Sequence, residues 1–501
     1  MFGDIPILSI IVFLPLIGAV LALLSGSDPV RARIIALIFS AIPLALSVTL
    51  LTGFNMDIGA FQFTESHAWI GSLGISYTLG VDGIGMLMVL LTTLLCFLAI
   101  LFSWDVEKRP HEYMGLMLVL EVGVLGVFTS LDYFLFYVFW EVVLIPMYFL
   151  IAIWGGPRRA YASIKFFIYT HVASLAMLLA IMAMYFEAAP MLEDLIGHPS
   201  FGMQEIAMVS GDFNSLFQIA VFGALFFGFG VKMPVVPFHT WLPDAHVEAP
   251  TAGSVLLAGL LLKMGSYGLI RIALPSLPEG AEAFVPIMLA IAVLSILYGA
   301  FASLAQRDLK KMVAFSSISH MGIVLLGFAT LSDLGLAAGV FQMFAHGLVT
   351  AVLFMMCGVI QHKTGTRDIP LLGGIAPKMP AATTFMAIGF LAGLGLPGLV
   401  SFVPEFSVFL ATFDAFGWIL IIPIASVAIT AAYFLWALQR SMFGNLTEKI
   451  DTSHLRDVNW YEGAPLAVLA VLIVLFGVLP GLVMDMITPA TEIVSGLLGV
   501  I

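Results

Sequence analysis

The sequence predicts an all-α membrane protein of about fourteen transmembrane helices, with two inverted five-helix repeats whose helices 7 and 12 are broken. Three observations lead there. Of the 501 residues, 61% are hydrophobic and only 10% are charged, whereas a soluble domain carries about 25% charged residues. Apolar runs of about 20 residues, the length that crosses a bilayer, recur from end to end. Two of these runs, 216–243 and 381–413, are overlong and are interrupted by glycine and proline beside a single charge.

Taken in order, the first run, 5–24, has no basic region ahead of it and no small-residue cleavage site, and reads as a retained helix. Spans follow at 31–52, 84–104, 113–130, 132–154, 163–186, 216–243, 250–271, 283–304, 311–330, 335–359, 381–413, 417–439 and 464–485. Sixteen of the nineteen Lys and Arg, from Arg31 through Lys449 to Arg456, then fall on one side. Arg271 falls on the other, and Lys232 and Lys263 stay inside the membrane. The long opposite connections, 53–80 and 187–215, contain no Lys or Arg. The basic side is therefore expected in the cytoplasm, with both termini external.

Other classes fall away. The net charge of −12 comes without any basic stripe, so no nucleic-acid partner is implied. Cys96 and Cys357 lie in apolar runs without CxxC spacing, which excludes a cysteine-ligated cluster or zinc site on this chain alone. No glycine-rich turn after a strand marks a dinucleotide site. Histidines in register on two helices, as a b-type haem requires, are not evident.

The two interrupted spans are the seventh and the twelfth, five apart. One reads FFGFGVKMPVVPFHTWLPDA and the other GFLAGLGLPGLVSFVPEFSVFL. Pro234 cannot donate to the carbonyl of Gly230, nor Pro404 to that of Val400. Freed carbonyls at this depth need protein or a water-filled cavity around them. A unit of five crossings is odd, so its tandem copy enters the membrane upside down. The expected division is 1–112 for helices 1–3, 113–272 and 283–442 for the two units, and 443–501 for a cytoplasmic loop and last helix. Chance proline and glycine kinks are the plainer alternative.

Six ionisable residues sit inside these spans: Glu141, Lys232, Lys263, His320, His346 and Glu405. One charge at mid-bilayer costs roughly 2.5–3.5 kcal/mol even on insertion scales, so a series of them marks a proton path. Glu141 and Lys232 are expected to pair, either as a working couple or as a static bridge between helices. Lys263 has no acid one turn away and lies too deep to snorkel, so it finds a partner on another helix or loses its proton. His320 and His346 are relay members or packing residues that share a hydrogen bond; His171 is weighed evenly between the two. Glu405 stands at the break of span 12 as the terminal member of the path. Glu121 is also intramembrane, without an evident partner. The string from His239 to Thr251 is either a solvated loop or a proton entrance.

The strings FWEVVLIPMYFLIAIWG, KMPVVPFHTWLPDAHVEAPTAGSVLLAGLLLKMGSYG, AFSSISHMGIVLLG, FQMFAHGLVTAVLF and GLPGLVSFVPEF closely resemble the antiporter-like subunits of bacterial NADH:quinone oxidoreductase, respiratory complex I. The subunit M type, equivalent to mitochondrial subunit 4, fits best, because Glu405 stands where the sister subunits L and N typically carry Lys. The superfamily also holds Mrp-type Na⁺/H⁺ antiporter and energy-converting hydrogenase membrane subunits. The resemblance implies a proton-translocating enzyme subunit in the bacterial inner membrane, with lipid and the other membrane-arm subunits, especially L and N, as partners. It implies Glu141–Lys232 as the helix-5/helix-7 pair, Lys263 as the central lysine, His320 and His346 as connecting histidines, and Glu405 as the helix-12 residue. It implies no cofactor or metal on this chain, while the whole complex uses FMN, iron–sulfur clusters and quinone. The rival of another class is a structural membrane scaffold with static charge pairs.

Overall fold

The computed structural model describes residues 5–26, 28–445, 448 and 455–499. Lys449, counted above among the basic residues, lies outside these, as do residues 1–4 and 500–501. Thirteen helical stretches among the described residues are long and apolar enough to cross a membrane. One of them, Phe402–Ser441, holds two helices joined at Gly417–Leu420. The chain runs α1 (Ile7–Leu24), α2 (Pro29–Gly53), α3 (Gly83–Phe102), α4 (Pro110–Thr129), α5 (Tyr133–Trp154) and α6 (Arg159–Ile196). The seventh crossing is split into α7 (Ser215–Lys232) and α8 (Trp241–Glu248). Next come α9 (Thr251–Ser276), α10 (Pro278–Leu304), α11 (Leu309–Ala329) and α12 (Asp333–Thr364). The twelfth crossing is split into α13 (Pro380–Gly393) and α14 (Phe402–Phe416), and α15 (Ile421–Ser441) and α16 (Trp460–Val478) follow.

Three differences from the sequence expectation have physical causes. The connection 53–80 is not irregular: β1 (Gln62–Ile70) and β2 (Ile75–Val81) form an antiparallel hairpin around Gly71–Gly74. The hairpin is anchored at both ends. Glu65 accepts from Leu8 N–H at 2.6 Å at the start of α1, and Asp132, which caps α5, accepts from Ser76 N–H at 2.8 Å. The last span ends earlier than expected, at Val478, because Pro480 cannot continue it. A further helix, α17 (Gly481–Leu497), then packs against α3 and α12, and Ser495 donates to Asp333 at the start of α12. The string from His239 to Thr251 is not a plain loop: its residues Trp241–Glu248 form α8, with Trp241, His246 and Glu248 buried.

Burial sorts the helices. α9, α11 and α12 are buried almost all round, whereas α6 and α10 turn Ile164, Val172, Leu179, Leu294 and Phe301 outward. Apolar outer faces suit lipid or a neighbouring subunit. Between the central helices, small residues allow close approach: a Cβ on Gly347 of α12 would lie 3.2 Å from the Gly259 carbonyl oxygen of α9.

Candidate functional site

Three backbone irregularities prepare the site. At the first break, the Gly230 carbonyl that Pro234 cannot serve accepts from Val235 N–H at 3.1 Å, and the Val231 carbonyl accepts from Trp241 Nε1–H at 2.9 Å. At the second, the end of α13 leaves the Gly393 carbonyl for a side chain. In α9, the turn Leu257–Leu261 is π-helical, which widens the helix and frees carbonyls from the regular ladder. Lys263 donates to one of these, that of Ala258.

From Lys263 on α9 the polar side chains are contiguous across three further helices. Its Nζ lies 2.6 Å from His346 Nδ1 on α12. The His346 ring stands 5.5 Å, centroid to centroid, from the His320 ring on α11. His320 Nε2 lies 2.9 Å from the Gly393 carbonyl oxygen and 3.7 Å from Glu405 Oε1 on α14. Gln342, one helical turn before His346, donates to the same Glu405 oxygen at 2.8 Å. All of these side chains are buried. A cavity of about 10 Å³, lined by Ser316, His320, Gln342, His346 and Thr350 among others, leaves room for roughly one water molecule beside the two rings. The arrangement sets four groups that can each hold a proton in succession, from α9 through α12 and α11 to α14.

The other two expected residues form a separate cluster. Glu141 and Lys232 make no direct ion pair. Glu141 Oε2 instead meets His171 Nδ1 of α6 at 3.1 Å, and Glu141 Oε1 is buried without a hydrogen-bond partner. Lys232 Nζ is buried, also without one, 5.3 Å from the centre of the Trp140 ring and 5.8 Å from that of Phe166. Lys232 and Lys263 are on helices in tight contact: a Cβ on Gly265 would meet the Phe229 carbonyl oxygen and the Met233 nitrogen, both at 2.6 Å.

Sequence reasoning missed Gln342, which is uncharged, although its spacing four residues before His346 puts both on one face of α12. It also could not assign the string 239–251. Its acids fasten helix ends: Asp244 pairs with Lys165 at 2.7 Å, and Glu248 accepts from Arg158 N–H at 2.8 Å. Lys310 and Arg367 donate to the carbonyls of Ala249 and Val247. His246 is buried and stacked on Phe354, 4.4 Å between ring centres. Glu121 is fully buried with neither carboxyl oxygen hydrogen-bonded. On the opposite side, Arg271 and Asp82 form a buried ion pair at 2.5 Å.

Helices broken at mid-membrane around buried ionisable groups define an ion-translocating membrane protein. Residues 130–430 match the family described as NADH:quinone oxidoreductase/Mrp antiporter, transmembrane, and the chain belongs to that family. It is 42% identical over 496 residues to F(420)H(2) dehydrogenase subunit M of Methanosarcina mazei, covering 98% of each chain. It is 42% identical over 492 residues to NADH-quinone oxidoreductase subunit M of Rhodobacter capsulatus, covering 97% of this chain and 95% of the relative. Among solved structures, a chain of respiratory complex I from Thermus thermophilus with bound NADH superposes with a TM-score of 0.88 at 30% identity, covering 98% of this chain and all of that one.

Proposed function

We propose that this chain is the proton-translocating M-type subunit of a membrane-bound quinone oxidoreductase, coupling quinone reduction elsewhere in the complex to proton movement. The observation that carries this is the buried succession Lys263–His346–His320–Glu405. In the working cycle, a change at a neighbouring subunit alters the field of Glu141 on Lys232. Without its counter-ion Lys232 gives its proton to Lys263, because burying an uncompensated charge is costly. His346 and His320 then carry a proton to Glu405 and out. The two units 113–272 and 283–442 act as inverted halves, with Lys232 and Glu405 at their breaks. The chain itself performs no redox step; FMN, iron–sulfur clusters and quinone belong to other parts of the complex. The sister subunits L and N flank it in the bacterial inner membrane, and both termini face outward.

The Methanosarcina relative supports a second reading of the electron source. It matches over the full length at the same 42% identity, so a donor other than NADH is compatible with this membrane module. The test is donor-driven proton uptake in inverted membrane vesicles, wild type against Lys232→Ala, with assembly checked on a native gel. Uptake lost from an intact complex supports the relay, and full uptake overturns it. Uptake with reduced F420 but not NADH selects the other donor. Uptake driven by a Na⁺ gradient alone selects an antiporter.

A further inference from the structure

We propose that His171 and Lys232 compete for the single carboxylate of Glu141, so that the charge on His171 decides whether Lys232 keeps its counter-ion. This rests on the relay proposed above and adds the switch at its start. Three observations carry it. Glu141 turns one oxygen to His171 Nδ1 at 3.1 Å and keeps the other buried and unpartnered. Lys232 Nζ lies between the same two helices, over Trp140 of α5 and Phe166 of α6, without a hydrogen-bond partner of its own. One carboxylate thus faces two candidate cations, and it is engaged by the one on which sequence reasoning placed less weight.

The imidazole is held for the task. Phe167 stacks on it with 17° between planes and 5.4 Å between centres, which fixes Nδ1 toward Glu141 and leaves Nε2 on the far side of the ring. Its side chain is 39% exposed and that of Glu141 25%, so the pair opens on the outer face of α6 and not into the core that encloses Lys232. The titratable groups nearest the pair on the packed helices are Glu141, Tyr137 and Tyr148 of α5 and Lys232 of α7, while Tyr133 of α5 is bound to Ser276 and the α8 acid Asp244 to Lys165. Tyr137 stands beside Glu141 and Ser174. Tyr148 stacks edge-on against Phe167. Lys165, Tyr161 and Tyr169 lie at the far end of α6, where Lys165 is bound to Asp244.

With His171 neutral, Nδ1–H donates to Glu141 and the carboxylate charge remains available to Lys232. When Nε2 takes up a proton, the imidazolium neutralises Glu141, and Lys232 is left as an uncompensated buried ammonium that passes its proton on toward Lys263. Release of the Nε2 proton, together with return of a proton to Lys232, restores the first state. One proton enters at His171 and one leaves Lys232, so the charge of the cluster is conserved over the exchange.

The experiment uses the intact complex in inverted vesicles, with wild type, His171→Gln and His171→Arg measured across pH 5 to 8, the range in which a histidine titrates. Gln keeps the hydrogen bond and cannot charge. It is expected to remove the pH dependence of protons moved per electron pair and to lower that ratio. Arg is always charged and is expected to abolish this chain's share at every pH. In parallel, the infrared carboxylate band of Glu141, assigned by its loss in Glu141→Gln, should shift with pH in wild type and stay fixed in His171→Gln. Wild-type pumping, pH profile and infrared titration in His171→Gln would overturn the proposal. If His171→Arg fails to assemble, the His171→Gln infrared titration decides alone. Full pumping by Lys232→Ala would sink the relay itself, whereas loss there with wild-type behaviour of the His171 variants would sink only the competition.

Discussion

Replacing Gly265 by alanine places a methyl group in the contact between α7, which carries Lys232, and α9, which carries Lys263, without altering either lysine. Its Cβ would lie 2.6 Å from the Phe229 carbonyl oxygen and from the Met233 nitrogen. Ordinary contact begins near 3.4 Å, so α7 and α9 must part by roughly 0.8 Å (3.4 − 2.6). Both obstacles are backbone atoms and cannot rotate away. Overpacking of this kind costs about 1–3 kcal/mol. Lys232 precedes Met233 and Lys263 lies two residues before Gly265, so the parting widens the spacing of the two helices that carry the lysines. A displacement of about 1 Å in a reacting geometry costs on the order of 10²-fold in rate. The expected result is an assembled complex of slightly lower thermal stability whose proton uptake per donor oxidised falls by nearly this chain's share. Gly223→Ala on α7 is the control. Its nearest obstacle is the ring tip of Phe284 at 3.0 Å, a side chain able to turn, and it should pump normally. Normal uptake in both variants would refute the idea that the α7–α9 contact sets the transfer distance.

Two further outcomes separate working groups from structural ones. Glu405→Gln keeps a partner for Gln342 and removes the proton-holding carboxyl, so uptake should fall while the melting temperature holds; a large fall in melting temperature would make Glu405 structural. Asp82→Asn leaves Arg271 buried without its counter-charge, which should cost about 3–5 kcal/mol in stability while uptake per assembled complex stays unchanged. A pumping defect at unchanged stability would instead draw Asp82 into the proton path.

The spans and the two breaks were legible because apolar length and the missing N–H of proline are local properties of the chain. The six intramembrane ionisable residues were legible for a related reason: a charge within an apolar run is conspicuous at any register. What escaped depends on partners remote in sequence. The Gly393 and Ala258 carbonyls carry no signature, since they become acceptors only where α13 ends and α9 widens. Gln342 passed unnoticed because it bears no charge. The pairing of Glu141 with His171 rather than Lys232 is decided by how α5 packs on α6. The string 239–251 has the composition of a loop, yet each of its acids is matched to a basic residue or backbone N–H of another helix. The hairpin had a local signal in the alternation through ISYTLGV after Gly74, obscured by the expectation of a plain connection between helices.

The central claim is that protons pass through Lys263. Lys263→Met removes two hydrogen bonds, to Ala258 and His346, each worth about 1 kcal/mol, and also removes the larger cost of keeping an ammonium buried. The fold should therefore be no less stable than wild type. The measurement is the number of protons taken up per electron pair by the purified complex in proteoliposomes. The account predicts a lower ratio with electron transfer continuing and the melting temperature unchanged or raised. An unchanged ratio in the intact variant would contradict it.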